Sequence, residues 1–234
     1  MLKTLPFLRR AASVSLAGLA SLALASCGGD SNAASSPSGS SATETATEAS
    51  ETDMVLGDPD APVTLVEFAS VTCPACAAFH SQVLPEIKEK YVDTGKVKLV
   101  FREFPTAPVE WFLKGSLLAR CVGETSGKEG YFAVIGSLMD NQRDWVPQGV
   151  DHKAELLKIA SQAGLDEAGF DACAAREDFV DLIANNVAEA EKALKISGTP
   201  SFFIDGESVR PRNMKEWTEA LDAAYASATG GEAG

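Results

Sequence analysis

Residues 63–83 of the chain read VTLVEFASVTCPACAAFHSQV. From Val63 to Ser70 nearly every residue is apolar or β-branched, which predicts a strand covered on both faces. After Pro74, apolar residues recur at steps of three and four, as on one face of a helix. Cys73 and Cys76 therefore lie where a buried strand leads into a helix N-terminus, a position that favours thiol–disulfide chemistry.

The two cysteines are expected to differ in exposure. Cys76 begins the apolar face of the predicted helix and should be buried, whereas Cys73 precedes the first turn and should be exposed. Unpaired N–H groups and the helix dipole favour a thiolate at Cys73 and lower the pKa of its thiol. A stabilised reduced form makes the disulfide a stronger oxidant. Pro85 is expected to kink this helix or to split it.

Two other roles are open for the motif at this point. A zinc site is a poor match, because the chain has a single Cys-x-x-Cys without a second close pair of cysteines or histidines. A static structural disulfide is the other alternative. We predict no metal and no cofactor.

The rest of the chain predicts a split α/β arrangement. A second strand is expected at Val97–Phe104, and its order after a strand and a helix makes a βαβ unit with parallel strands. Between Val109 and Lys195 only helical periodicity is found. A ββα half should follow: a strand at Ser201–Ile204, a hairpin turn at Asp205-Gly206, a strand at Glu207–Val209 and a helix at Asn213–Ala226.

These features together resemble the thioredoxin superfamily, and within it the exported DsbA-like oxidoreductases. The match is carried by FASVTCPAC at residues 68–76, by Gly198-Thr199-Pro200 before a strand, and by the helical region between the two halves. The resemblance implies a thioredoxin-like α/β fold over residues 54–226. A helical domain of about residues 108–196 is inserted between its βαβ and ββα halves.

The resemblance also assigns roles to individual residues. Cys73 is implied to be the attacking sulfur and Cys76 its buried partner in a redox-active disulfide. Glu67, six residues before Cys73, matches the buried acid of the family, which exchanges a proton with the buried cysteine. A strand residue that faces solvent is the alternative for Glu67. Thr199 and Pro200 match the cis-proline step that presents backbone to an extended substrate.

The implied activity is introduction of disulfides into reduced or unfolded exported proteins, with a membrane thiol oxidase as the reoxidising partner. The best-known oxidases carry a His between the cysteines where this chain has Pro74-Ala75, so a less oxidising couple is predicted. His80 lies one helical turn after Cys76 and is expected to be a partly exposed helix residue without a chemical role. A supporting role behind the cysteines is the alternative.

Other functions are open as well. A disulfide reductase or isomerase is the first alternative. Such relatives usually add an N-terminal dimerisation domain where this chain has a predicted linker, so a monomer is expected. A non-catalytic binding module or a metallochaperone is the second alternative.

Cys121 and Cys173 lie in separate predicted helices of the insertion. An exported protein can form disulfides, so a structural bridge between these two cysteines is expected. It would close a long loop and stabilise the fold by about 2–4 kcal/mol. Two unpaired buried thiols are the alternative.

The start of the chain predicts export. Residues 1–26 place three cations before an apolar, small-residue stretch that is too short to span a membrane. Leu24-Ala25-Ser26-Cys27 resembles the lipobox of bacterial lipoproteins, in which the cysteine carries lipid. Cleavage after Ala25, leaving Cys27 as a free thiol, is the alternative. We expect a lipid-anchored protein on the periplasmic side of a bacterial membrane.

Amino-acid composition predicts a linker, one domain and a tail in the rest of the chain. Residues 27–53 contain no aromatic residue and should be a disordered linker. Residues 227–234 are expected to be a disordered tail, and the stretch between them has the length of one domain. The net charge of −13 at pH 7 argues against nucleic acid as a partner and against docking on anionic lipid.

Overall fold

The computed structural model describes residues 47–231. Its centre is a five-stranded sheet in the order β1-β3-β2-β4-β5. β2 and β3 run parallel, as predicted, and every other neighbouring pair is antiparallel. The strands are β1 Met54–Leu56, β2 Val63–Ala69, β3 Val97–Glu103, β4 Ser201–Ile204 and β5 Glu207–Val209.

The predicted succession of βαβ, helices and ββα is confirmed. Between β3 and β4 the described chain is helical and contains no strand. The helices are α1 Pro74–Gln82, α2 Leu84–Ile87, α3 Val109–Asp140, α4 Gln142–Trp145, α5 His152–Gln162, α6 Glu167–Ala174, α7 Glu177–Leu194 and α8 Met214–Thr229. Within residues 47–231, no helix is both long and apolar enough to cross a membrane.

Two helices are interrupted where the sequence contains a proline or a glycine. α1 ends at Gln82 with Val83 as its C-cap, and Pro85 lies in the first turn of α2, which continues as a π-helical turn at Lys88–Val92. Inside α3 the backbone of Gly127 is non-helical, with φ 71° and ψ −171°. Residues with a side chain rarely adopt this φ, so the glycine allows α3 to divide into two helices.

The alternation of β2 determines which side chains reach the active-site helix. Val63 and Leu65 pack in one core cluster with Phe79 of α1 and with α8. Val66 and Phe68 point to the opposite face, where they pack against Phe203 and the end of α7. Because alternate residues share a face of a strand, Glu67 lies on the side covered by α1.

A buried ion pair joins β3 to α3. Arg120 donates to both carboxylate oxygens of Glu103 over 2.7 and 2.6 Å, and the Tyr131 hydroxyl donates to the same carboxylate over 2.9 Å. All three residues are at most 2% exposed. The helical region has a covalent link as well: a disulfide connects Cys121 of α3 with Cys173 of α6, whose Cα atoms are 5.9 Å apart.

Two of the predicted boundaries are wrong. The linker does not reach residue 53, because the Asp53 carboxylate is 2% exposed and accepts hydrogen bonds from Arg102 over 3.1 and 2.6 Å. Arg102 also donates to the backbone carbonyl of Glu48. Composition favoured disorder here because this stabilisation comes from a distant strand. At the other end, α8 continues to Thr229 and ends at Gly230 in the left-handed conformation, so residues 227–229 belong to the helix.

The predicted signal sequence, the lipid-bearing Cys27 and the linker up to residue 46 lie outside the described residues.

Candidate active site

Cys73 is the N-cap residue of α1, with φ −86° and ψ 120°, and Pro74 occupies the first helical position. The lack of an N–H on proline costs nothing there, since the first turn of a helix has no partner for it. Cys73 is 8% exposed and Cys76 is 0% exposed. The prediction that Cys73 is exposed is therefore wrong, although it is the more accessible of the two sulfurs.

The cover over Cys73 comes from the Thr199–Pro200 step. This peptide bond is cis, as the resemblance implied. The Thr199 carbonyl oxygen lies 3.4 Å from the Cys73 sulfur and accepts a hydrogen bond from its thiol. The Thr199 hydroxyl is buried and has no hydrogen-bond partner among residues 47–231, so it is free to donate to the thiolate form. A segment 126 residues away in sequence thus completes the site.

The surroundings assign the negative charge to Cys73. The pKa of its thiol is lowered to about 5, first by a hydrogen bond from Cys76 and then by Thr199 and the backbone N–H groups of Cys76 and Ala75, against burial, which raises it. The pKa of Cys76 is strongly raised, because its thiol donates to Cys73, because it is buried, and because the Glu67 carboxylate is near. Near neutral pH the reduced site carries a thiolate at Cys73 and a proton at Cys76.

This distribution predicts how the stability of the reduced protein depends on pH. The ordinary pKa of the thiol is 9.0, and that of Cys73 in the folded protein is about 5. Because the folded-state pKa is depressed, the contribution is fully present above pH 9 and is lost as the pH falls through 5. At pH 7 it should be about 2 kcal/mol, at about 1.4 kcal/mol per pH unit with some solvent screening of the sulfur.

The measurement is the free energy of unfolding of the reduced wild type minus that of reduced Cys73→Ser, from pH 5 to pH 8. The subtraction removes the other titrating groups, which both proteins share. A difference that stays constant over this range would contradict the assignment of the thiolate to Cys73.

Glu67 is fully buried below the cysteines. Its side chain is 0% exposed, which excludes the alternative of a residue that faces solvent, and its Oε2 lies 3.0 Å from Nε2 of His80. The expectation for His80 is wrong, since its side chain is only 6% exposed and bonded to Glu67. Burial opposes the charged form of His80, but the Glu67 carboxylate outweighs it, and the pKa of His80 is raised.

The loop before Cys73 is held by side chains that sequence analysis did not single out. The hydroxyls of Ser70, Thr72 and Thr106 lie within 2.8–2.9 Å of one another. The Gln142 side-chain amide, from the helical region, donates to the carbonyls of Val71 and Cys73 over 2.9 and 3.0 Å. No local pattern marks Gln142, because its partners are about 70 residues away.

A cavity of about 540 Å³ borders the Thr199–Pro200 step. It lies between the loop that follows α7 and the end of β5. Its walls include Gly198, Phe202, Val209 and Arg210. The site therefore joins a covered dithiol to an open groove beside the cis peptide bond.

A sheet with this topology, a dithiol at the start of the first helix and a cis-proline facing that dithiol define the class of thioredoxin-fold proteins. Residues 49–223 match the family model described as Thioredoxin. The chain belongs to this family.

Named relatives agree with that assignment. The chain is 33% identical over 174 residues to a Rickettsia bellii protein with the provisional name protein-disulfide oxidoreductase, which covers 74% of this chain and 65% of the relative. It is 31% identical over 180 residues to a Bacillus cereus protein provisionally named disulfide bond formation protein D, covering 73% and 78%. The chain thus spans less than two thirds of the rickettsial relative.

A solved structure supports the fold. The crystal structure of Wolbachia pipientis alpha-DsbA1 is similar with a TM-score of 0.72 and 31% identity. The match covers 80% of this chain and 98% of that chain, so the helical region is included in the likeness.

Proposed function

We propose that this protein is a thiol–disulfide oxidoreductase that acts as an oxidase, transferring the Cys73–Cys76 disulfide to protein substrates. One arrangement carries the proposal: Cys73 is the N-cap of α1 and its sulfur lies 3.4 Å from the carbonyl oxygen of the cis Thr199–Pro200 step. These surroundings lower the pKa of Cys73 and raise that of its partner. Stabilising the thiolate stabilises the reduced form, which makes the disulfide a stronger oxidant. The names of the Rickettsia bellii and Bacillus cereus relatives support the same chemistry.

The exchange begins with attack on the more accessible sulfur. A substrate thiolate attacks the Cys73 sulfur, the Cys73–Cys76 bond breaks, and Cys76 leaves as a thiolate that must take up a proton. A second substrate thiolate then attacks the substrate sulfur of the mixed disulfide, and Cys73 leaves as a thiolate. The substrate is oxidised to a disulfide and the protein is reduced to a dithiol.

The side chains of the site have separate roles in this exchange reaction. Thr199 donates its free hydroxyl to the Cys73 thiolate, which is the leaving group of the second step. The cis Thr199–Pro200 step offers backbone to an extended substrate in the adjoining groove. Glu67 exchanges a proton with Cys76, which burial would otherwise leave as an unpaired anion. The Cys121–Cys173 disulfide is structural in this scheme.

Location and partners are part of the same proposal. Export and a lipid anchor at Cys27 are supported by the Leu24-Ala25-Ser26-Cys27 pattern. Substrates would then be reduced or unfolded exported proteins, and a membrane thiol oxidase would restore the disulfide of a monomeric enzyme. The family resemblance supports these partners.

The reduction potential of the Cys73–Cys76 couple tests the direction of exchange. Equilibration with glutathione should give a potential between about −180 mV, as in protein disulfide isomerase, and about −120 mV, as in the strongest oxidases. A potential close to about −270 mV, as in thioredoxin, would favour the reductase alternative. The double variant Cys121→Ala/Cys173→Ala is the control that assigns the measured potential to the active-site pair.

A further inference from the structure

Glu67 and His80 form a buried pair that the predicted exchange mechanism uses only in part. The Glu67 Oε2 atom lies 3.0 Å from His80 Nε2, and the two side chains are 0% and 6% exposed. The second carboxylate oxygen, Oε1, is buried and accepts no hydrogen bond from the part of the chain that the structure describes. A buried carboxylate without a counter-charge is costly, so His80 decides whether Glu67 can carry a negative charge.

His80 is surrounded by two aromatic rings and hydrogen-bonds to Glu67. The rings of Phe79 of its own helix and Phe101 of β3 pack on it edge to face, each at 5.8 Å between centroids. The charged groups that act on it are Glu67 of β2 and Asp140 at the end of α3. Both acids raise the pKa of His80, and burial lowers it.

The same carboxylate also acts on the buried cysteine. Glu67 contributes to the raised pKa of Cys76, so the thiol of Cys76, the carboxylate of Glu67 and the imidazole of His80 form one coupled set. A change of proton on one member changes the proton affinity of the others.

We infer that His80 is a positioning residue for proton transfer at Cys76: its imidazolium holds Glu67 as the carboxylate that accepts the Cys76 proton. This inference rests on the proposed thiol–disulfide exchange and adds a residue to it. Without the imidazolium, Glu67 would be a buried carboxylate with no counter-charge beside it, which is costly.

The proton transfer starts from a mixed disulfide between Cys73 and a substrate thiol. Cys76 gives its proton to the free oxygen of Glu67, directly or through one water. The Cys76 thiolate attacks the Cys73 sulfur, the Cys73–Cys76 bond forms, and the bond from Cys73 to the substrate sulfur breaks. The substrate leaves as a thiolate and takes a proton from water. In the opposite direction, Glu67 returns its proton to the Cys76 thiolate as it leaves.

The test uses glutathione as the substrate thiol. Reduced protein is converted to the mixed disulfide at Cys73, and release of glutathione by Cys76 is followed from pH 5 to pH 9. In His80→Gln the amide can still donate a hydrogen bond to Glu67 but carries no charge. Release should slow by about 10-fold at pH 7, a part of the 100-fold or more typical of general acid–base catalysis, and the rise in rate should move to higher pH.

Three further variants make the result specific. His152→Gln removes the other histidine of the chain and should leave the pH profile unchanged. Glu67→Gln should remove the pH-dependent rise over the same range. The double variant Glu67→Gln/His80→Gln should be no slower than Glu67→Gln alone, because His80 acts through Glu67.

A structural role would give a different outcome. If His80→Gln lowers the melting temperature but keeps the wild-type pH profile, or if the effects of the two single variants multiply, the inference is overturned. A second readout needs no His80 variant: the NMR titration of the His80 ring should move to lower pH in Glu67→Gln, and no movement would also overturn it. Failure of the proposed oxidase direction is separate, because a thioredoxin-like potential would leave the glutathione release profile intact.

Discussion

Replacing Cys73 by serine is expected to reduce thiol–disulfide exchange to the uncatalysed background, a loss of at least about 1,000-fold. The hydroxyl of serine does not ionise at neutral pH and cannot form a disulfide, whereas the pKa of Cys73 is lowered to about 5. The measurement is oxidation of a reduced two-cysteine peptide by the oxidised protein, together with reduction of insulin.

Cys76→Ser is the matched variant, because it removes the buried sulfur and keeps the attacking one. It should still form a mixed disulfide when the Cys73 thiolate attacks glutathione disulfide, which breaks the glutathione S–S bond and releases one glutathione as a thiolate. This mixed disulfide should then accumulate, since no thiol is present at position 76 to release the bound glutathione. Mixed disulfide that forms instead on Cys76 in the Cys73→Ser variant at a similar rate would contradict the assignment of roles. Both variants should keep the Cys121–Cys173 bridge, so intact mass after thiol labelling verifies their state.

The second large effect concerns stability. Arg120→Met should lower the free energy of unfolding by about 3–5 kcal/mol, because it leaves the Glu103 carboxylate charged, buried and without a cation. Glu103 is 2% exposed, and of its hydrogen bonds within the described residues it would retain only the one from the hydroxyl of Tyr131. Denaturant unfolding at pH 7 measures the loss, and the melting temperature should fall by roughly 10 °C for a domain of this size.

A surface arginine provides the control. Arg176 forms ion pairs with Glu124 and Asp178, but the side chains of these partners are 49% and 61% exposed. Arg176→Met should therefore cost only about 0–1 kcal/mol. A loss below about 1 kcal/mol for Arg120→Met would show that water reaches Glu103 and that the pair is not an essential part of the core.

Much of the fold follows from local pattern. The apolar run at Val63–Ala69 and the periodic helix after Pro74 predict a strand and a helix without reference to any other segment. The Asp205-Gly206 hairpin turn was predicted in the same way, and the structure places both residues at positive φ. Composition wrongly predicts disorder at residues 47–53, because the contact that orders them, Asp53–Arg102, joins segments 49 residues apart in the sequence.

The site, too, has features that local sequence predicts and features that depend on packing. Local sequence puts Cys73 at a helix N-terminus and Cys76 on the buried face, and this is enough to predict which sulfur is the thiolate. Nothing local distinguishes His80 from an ordinary helix residue. Its burial follows from the packing of α1 over β2, which brings its ring within 3.0 Å of Glu67.

The sequence by itself therefore determined the order of the elements, the position of the dithiol and the asymmetry between its two sulfurs. These properties depend on periodicity, helix ends and turn residues that lie within a few positions of one another. Only the tertiary structure decided that Thr199 covers Cys73, that Gln142 holds the preceding loop and that His80 pairs with Glu67. Those contacts form when separately folded segments pack together, and their energies depend on burial and distances that no local pattern contains.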